Sequence, residues 1–296
     1  MKSSQQSGFT LIELMISLVI GLIIVAAALV LFLAGQKSVA IQQGASDLQD
    51  NSNFALNYIT KDIRFAHLGN ATAAMTGSVV HGGIVLTSTN LSATDSTETK
   101  YFSRSAVDGS SNVDIESDQL VIQYLPIATG GFDCEGNTIN STSEYVIQRY
   151  FVRKDSNFND SETANTALAL ACDAGRYSGD TATNFGDDGQ IIMKRVDYFH
   201  VLLVTENSAG NFRDMTIANY LASGTEPRIL GVKIGVLARS SQTVGPESII
   251  DNSREFDVLD KTVSLKSSIQ SASSRNLREV ITQTVAIRNA LGDRAS

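Results

Sequence analysis

One carboxylate, Glu13, stands inside an otherwise uncharged apolar run from Phe9 to Gly35, and it is the side chain here that most needs a chemical reason. A charge in mid-membrane costs roughly 2.5 to 3.5 kcal/mol on insertion scales, and somewhat less near the end of a span, so such a group has a partner or a purpose. The two cysteines, Cys134 and Cys172, offer different chemistry. Outside the cytoplasm they could close a loop of roughly 40 residues and add about 3 to 4 kcal/mol by restricting the unfolded chain; the alternative is two buried thiols. Neither belongs to a CxxC or to a Cys/His cluster with metal-ligand spacing.

Catalytic chemistry has little to start from. His67, His81 and His200 lie far apart in sequence, and no HExxH, GxSxG or phosphate-binding loop occurs. His67 falls at a helix end and His200 inside a strand, where packing accounts for them. Asp155, Asn157, Asn159 and Asp160 resemble the start of a calcium loop, but the sixth position lacks its glycine and the twelfth is Thr166 rather than glutamate. Asp187-Asp188-Gly189 reads as a turn before a strand. No catalytic residue, metal ligand or cofactor is expected. A net charge of -8 also argues against a nucleic-acid-binding surface, which usually clusters Lys and Arg.

The elements that would position Glu13 begin with the apolar run itself. Its length of about 27 residues exceeds the ~20 that span a bilayer and is too long for the core of an ordinary secretory signal. Ile41, Ala45, Leu48, Ala55, Ile59, Ile63 and Ala66 continue at helical steps, with Ser52 in the one polar gap, so the same helix is predicted to run to about Leu68 and stop at Gly69-Asn70. Beyond it the composition turns to Ser, Thr, Gly, Asn and Asp with short β-prone runs. Strands are predicted at 84–87, 119–125, 144–153, 191–205, 229–239 and 277–288, with loops at 88–116, 154–190 and 240–275. Leu230, Val232, Ile234 and Val236 should share one face of a sheet, with Lys233 and Gly235 on the other.

The junction Gly8-Phe9-Thr10-Leu11-Ile12-Glu13, behind the polar leader MKSSQQSG with its Lys2, closely resembles the signal of type IV prepilins and pseudopilins. The resemblance implies cleavage between Gly8 and Phe9 by a membrane peptidase, followed by N-methylation of Phe9. It also gives Glu13 a purpose: pairing with the Phe9 amine of a neighbouring subunit neutralises both charges in an apolar setting. Further along, Lys61-Asp62-Ile63-Arg64-Phe65-Ala66, Asp118-Gln119-Leu120-Val121, Arg195-Val196-Asp197-Tyr198-Phe199-His200-Val201, Val232 to Ser240, and Thr284-Val285-Ala286-Ile287-Arg288-Asn289 resemble, in order, segments of PilW-type minor pilins. Two departures stand out. The helix-bending proline of many major pilins is absent around Ala28 to Leu31, and Gly69-Asn70 replaces the family's frequent Gly-Cys. Cys134 and Cys172 are therefore the available intrachain pair.

The resemblance implies an α+β fold of pilin type, with a long N-terminal helix, membrane-spanning in its first half, packed on a mostly antiparallel β-sheet domain. Residues 1–8 would be the cleaved leader, 9–68 the helix with its transmembrane part at about 9–35, and 69–296 a periplasmic β-rich domain. It further implies a non-enzymatic minor pilin, held by a single span in the bacterial inner membrane and then in the pilus, taking part in pilus initiation near the tip. Its partners would be other minor pilins, the major pilin, the prepilin peptidase and the inner-membrane assembly machinery. A J-type pseudopilin of type II secretion and a tip adhesin are the competing readings.

Overall fold

Thr10 and Glu13 start the first helix. In this computed structural model, which describes residues 8–91, 98–159, 162–179, 182–244, 250–272 and 275–292, helix α1 runs Leu11–Ile63 without a break. The chain divides into two compact units, Met1–Gln43 and Gly44–Ser296. In the first unit, the large apolar side chains from Leu11 to Leu33 are exposed, on a helix long and apolar enough to cross a membrane. In the second, Gly44, Leu48, Ser52, Ala55, Leu56, Ile59 and Ile63 of α1 are buried. The stripe therefore passes through Gly44 rather than the predicted Ala45, as a straight 3.6-residue period counted back from Leu48 requires.

The helix stops five residues before the predicted Leu68. After Ile63 the bonds tighten to three-residue spans, Phe65 N to Asp62 O at 2.9 Å and Ala66 N to Ile63 O at 3.0 Å. His67 and Gly69 then take left-handed conformations, φ 68 and 75. Gly69 has no alternative: a Cβ there would stand 2.7 Å from the Cβ of Leu125. The buried His67 ring holds the turn, accepting from Gly83 N at 3.1 Å through Nδ1 and lying 2.7 Å from Thr72 O through Nε2.

Ten strands follow. β1 (Leu120–Tyr124), β2 (Tyr145–Lys154), β3 (Leu168–Tyr177) and β4 (Gln190–Lys194) form one antiparallel sheet in that order. β5 (Val196–Glu206), β6 (Phe212–Thr216), β7 (Arg228–Arg239) and β10 (Arg278–Ala286) form a second, ordered β10-β7-β5-β6 and also antiparallel. β8 (Phe256–Val258) and β9 (Lys261–Val263) make a separate hairpin. One core joins α1 through Ala55, Ile59 and Ile63 to Ile122, Tyr150, Leu170, Phe199, Val201, Val232, Ile234 and Val236, from both sheets. On the far face of β7, Leu237 joins Val113, Tyr198, Phe256 and Val258 in a smaller cluster.

Five predictions of strand and loop are corrected. The single strand 191–205 is two strands in different sheets, β4 paired with β3 and β5 with β7, which part at Arg195, where φ is 60. The segment 84–87 makes only an isolated bridge, Ile84 to Ile122, within the described residues. The loop 154–190 contains β3, and the loop 240–275 contains the β8–β9 hairpin and the short helix Ser267–Gln270. The loop 88–116 likewise includes the helical turns Ser88–Leu91 and Thr99–Tyr101.

Candidate functional site

The sequence-predicted residues fall into two groups, one in each unit. Gly8, Phe9 and Glu13 lie together at the start of α1, and the Phe9 side chain is 92% exposed. Most of the leader, residues 1–7 with Lys2, lies outside the described residues. Glu13 Oε2 accepts from both Thr10 N (2.9 Å) and Thr10 Oγ1 (2.8 Å). Glu13 N in turn donates to Thr10 Oγ1 at 3.3 Å. This is a capping box of Thr-x-x-Glu form, which satisfies helix-start donors otherwise left bare. The T-x-x-E spacing at Thr10 and Glu13 is the sequence signal of this cap. A carboxylate has two oxygens; Oε2 serves the cap, and Oε1 remains for a second positive group.

Cys134 and Cys172 are joined, with Cα atoms 6.1 Å apart, so the bonded alternative holds in this structure. The bridge ties the loop after β1 to the middle of β3 within the main core. The residues that follow each half, Glu135 and Asp173, come near Asp187, and one carboxylate oxygen from each of the three lies within 4.8 Å of the others. Burial first, then the charges of Asp187, Asp173 and Asp133, pushes Glu135 up to about 7. Such a trio could share a cation. Here Arg149 supplies positive charge, pairing with Asp173 at 2.9 Å and donating to Asp187 O at 2.7 Å. Asp187-Asp188-Gly189 is the predicted turn, closed by Gly189 N donating to Asp187 Oδ1 at 2.7 Å.

The calcium-like segment has a different use. Asp155 accepts from Arg195 Nη1 at 2.7 Å, and Glu162 lies 2.8 Å from Arg195 Nε and 2.6 Å from Arg239 Nη2. Asp160 lies outside the described residues. Its neighbours Asp155 and Glu162 are committed to arginines that hold β4, β5 and β7 together.

The short motifs beyond the helix turn out to be polar anchors. Asp62 accepts the Tyr150 hydroxyl at 2.8 Å, fixing the end of α1 to β2. Asp118 Oδ2 accepts from Val201 N at 2.8 Å and lies 2.6 Å from His200 Nδ1. Asp197, fully buried, meets Arg239 Nε at 3.0 Å and Arg278 Nε at 2.7 Å. Asn289 Nδ2 donates to Arg64 O and Ala66 O at the helix end. Burial raises the cost of the Asp197 charge, yet the two arginines and Asn112 hold its carboxyl below the usual range. These bonds stitch distant segments together and build no constellation of nucleophile and base.

Residues 3–29 match the family model of the prokaryotic N-terminal methylation motif. This chain carries a prepilin-type N-terminal methylation motif. Among curated proteins none matches the chain. Among solved structures it is similar to a type IV-like pilin from Thermus thermophilus, at 14% identity and a TM-score of 0.39, over 82% of this chain and 96% of that one.

Proposed function

We propose that this protein is a membrane-anchored structural subunit of a type IV pilus, a minor pilin of PilW type that joins the initiating complex near the tip. The observation that carries the reading is the motif at residues 3–29 placed at the head of an exposed apolar helix, with Gly8, Phe9 and Glu13 in register. In this reading a peptidase cuts after Gly8, the new Phe9 amine is methylated, and Glu13 pairs with that amine on a neighbouring subunit as the two helices leave the membrane for the filament. The capping box supports the same role, because it orders the first turn that carries both the amine and the carboxylate. The second unit faces the periplasm and decides which subunits lie beside it; other pilins, the peptidase and the inner-membrane machinery are its partners.

The reading is tested at its first residue. Mass spectrometry of the native protein should give a chain beginning at N-methylated Phe9, and one beginning at Met1, or after the small residues Ala26 to Ala28 where an ordinary secretory signal would be cut, would sink it. Deleting the gene should abolish surface pili with secretion of exoproteins intact. Loss of exoprotein release alone would instead assign the chain to a secretion pseudopilus.

A further inference from the structure

Asp47, Asp50, Phe54, Asn57, Lys61 and Arg64 recur at alternating steps of three and four and are all exposed, so they line one face of the α1 segment of the second unit and the turn after it. The face is acidic at one end and basic at the other. Phe54, 66% exposed, lies between. Among the described residues, Asp47, Asp50, Lys61, Arg64 and Arg288 have no ion pair and no side-chain hydrogen bond. The basic end opens into a groove of about 550 Å³ lined by Lys61, Arg64 and Arg288 over Phe65, Leu68 and Ile127, and no carboxylate lines it. Ile127 is 78% exposed there. On a chain of net charge -8, three cations without an ion pair gather here around apolar side chains.

A solvated helix face accounts for part of this. Lys61 and Arg64 complement the negative end of the helix dipole, whose influence falls off within a turn. It offers nothing to Asp47 and Asp50 far from either terminus, nor to the outer face of Phe54, whose ring is stacked on Tyr58 yet stays largely exposed. The spacing supplies what solvation does not: Asp47, Asp50 and Phe54 repeat, fourteen positions on, as Lys61, Arg64 and Leu68.

We propose that this groove receives the Asp47–Asp50–Phe54 face of a second copy of the chain, with the two carboxylates against Lys61 and Arg64 and the Phe54 ring on the apolar floor around Leu68 and Ile127. The direction of the copies rests on the filament-subunit reading: both helices leave one membrane by the same end, so they run parallel and are displaced by about 21 Å, fourteen residues at 1.5 Å each. Such a contact is heterologous, using a different surface on each copy. Exposed ion pairs are individually weak and screened by salt, so the charges set the register while Phe54 supplies the buried area.

The test uses the full-length protein in its membrane, as a mixture of light and heavy isotope-labelled copies treated with a water-soluble carbodiimide, which joins a carboxylate to an amine already in contact. The expected product is a mixed-isotope peptide pair linking Lys61 to Asp47 or Asp50. Its yield should fall at least about fivefold in Phe54→Ser and in Arg64→Asp, both of which leave the joined groups in place. Mixing an Asp50→Arg chain with an Arg64→Asp chain should restore the product between the two variants in both isotope directions, from Asp47 of the first to Lys61 of the second through the swapped pair and from Asp47 or Asp50 of the second to Lys61 of the first through the unaltered surfaces, while links between copies of the same variant stay low. Links confined to one copy, links from Lys61 to a different protein, or a yield indifferent to these changes would each overturn the proposal. The amino terminus is read in the same samples. A methylated Phe9 terminus without the mixed pair defeats this contact alone, and a mixed pair from chains that keep the leader defeats the filament-subunit reading alone.

Discussion

Asp62 and His200 show how single buried groups make this domain sensitive to pH. Burial, opposed by the Tyr150 hydroxyl and the Lys61 charge, raises the Asp62 carboxyl from 3.8 to about 6. A raised folded value means that the folded state holds the proton more tightly than the unfolded chain does. The associated stability is complete below about pH 4 and is lost as pH rises through about 6, on the order of 2 kcal/mol. Asp62→Asn keeps an acceptor for Tyr150 and removes the charge, so its melting temperature should lose the decline between pH 4 and 6; an unchanged decline would place the titration elsewhere. His200 adds to the trend at higher pH. Burial alone would lower its value, but the bonds to Asp118 at 2.6 Å and Asp260 at 2.7 Å outweigh it and raise it. Its contribution is full below about 6.5 and lost as pH climbs through the raised value, because a neutral ring can donate to only one of two carboxylates. His200→Gln should be less stable than the parent at pH 6 and nearly equal to it at pH 9, measured by chemical denaturation. Neither behaviour is visible in sequence, where His200 is one residue in a strand and its partners lie 82 and 60 positions away.

At the scale of elements, the outcome followed the strength of the local signal. Of the predicted β7 face of Leu230, Val232, Ile234 and Val236, the last three lie in the core, while the register shift at Val204/Thr205 puts Ile229 there in place of Leu230. β3 carries little local strand signal, because Leu-Ala-Leu-Ala-Cys-Asp-Ala-Gly-Arg-Tyr is rich in residues with poor strand propensity. Its strandness comes from pairing with β2 on one side and β4 on the other, which buries nearly all of it. The bridge from Cys134 to Cys172 fastens this strand, at a sequence separation of 38. Replacing both cysteines by alanine should cost about 3 to 4 kcal/mol of unfolding free energy, mainly by freeing the unfolded chain, as read from urea midpoints against the parent. A loss no greater than that of two buried side-chain truncations would mean that the constraint is unimportant. At the start of α1, Glu13→Val removes both the cap and the lone apolar-run charge. Cleavage after Gly8 should survive it and entry into filaments should drop sharply, as measured in sheared pili; normal incorporation would refute the amine pairing.

The whole molecule consists of a unit that buries little of its own surface and a unit that holds the core. Every buried hydrophobic residue, from Leu48 to Ala290, belongs to Gly44–Ser296. A fragment beginning at Gly44 should therefore unfold cooperatively in water without detergent, and a broad, probe-dependent transition would show that it needs the preceding residues. The sequence by itself determined the apolar helix, the motif at its head, the acidic character and the alternation of the strongest strands, because each is set by neighbours within a few residues along the chain. Tertiary structure alone decided where the helix ends, that Ala-rich β3 is a strand, that Arg195 divides one long strand into two, and that Asp62, Asp118, Asp197 and Arg239 are anchors. Those outcomes depend on groups tens of residues apart that meet only after the sheets have closed over the second half of α1, where burial makes each unpaired polar group costly and so selects the arrangement that pairs them. Glu13 belongs to both levels: its place in the motif is written in the sequence, and its bonds to Thr10 appear only once the first helical turn has formed.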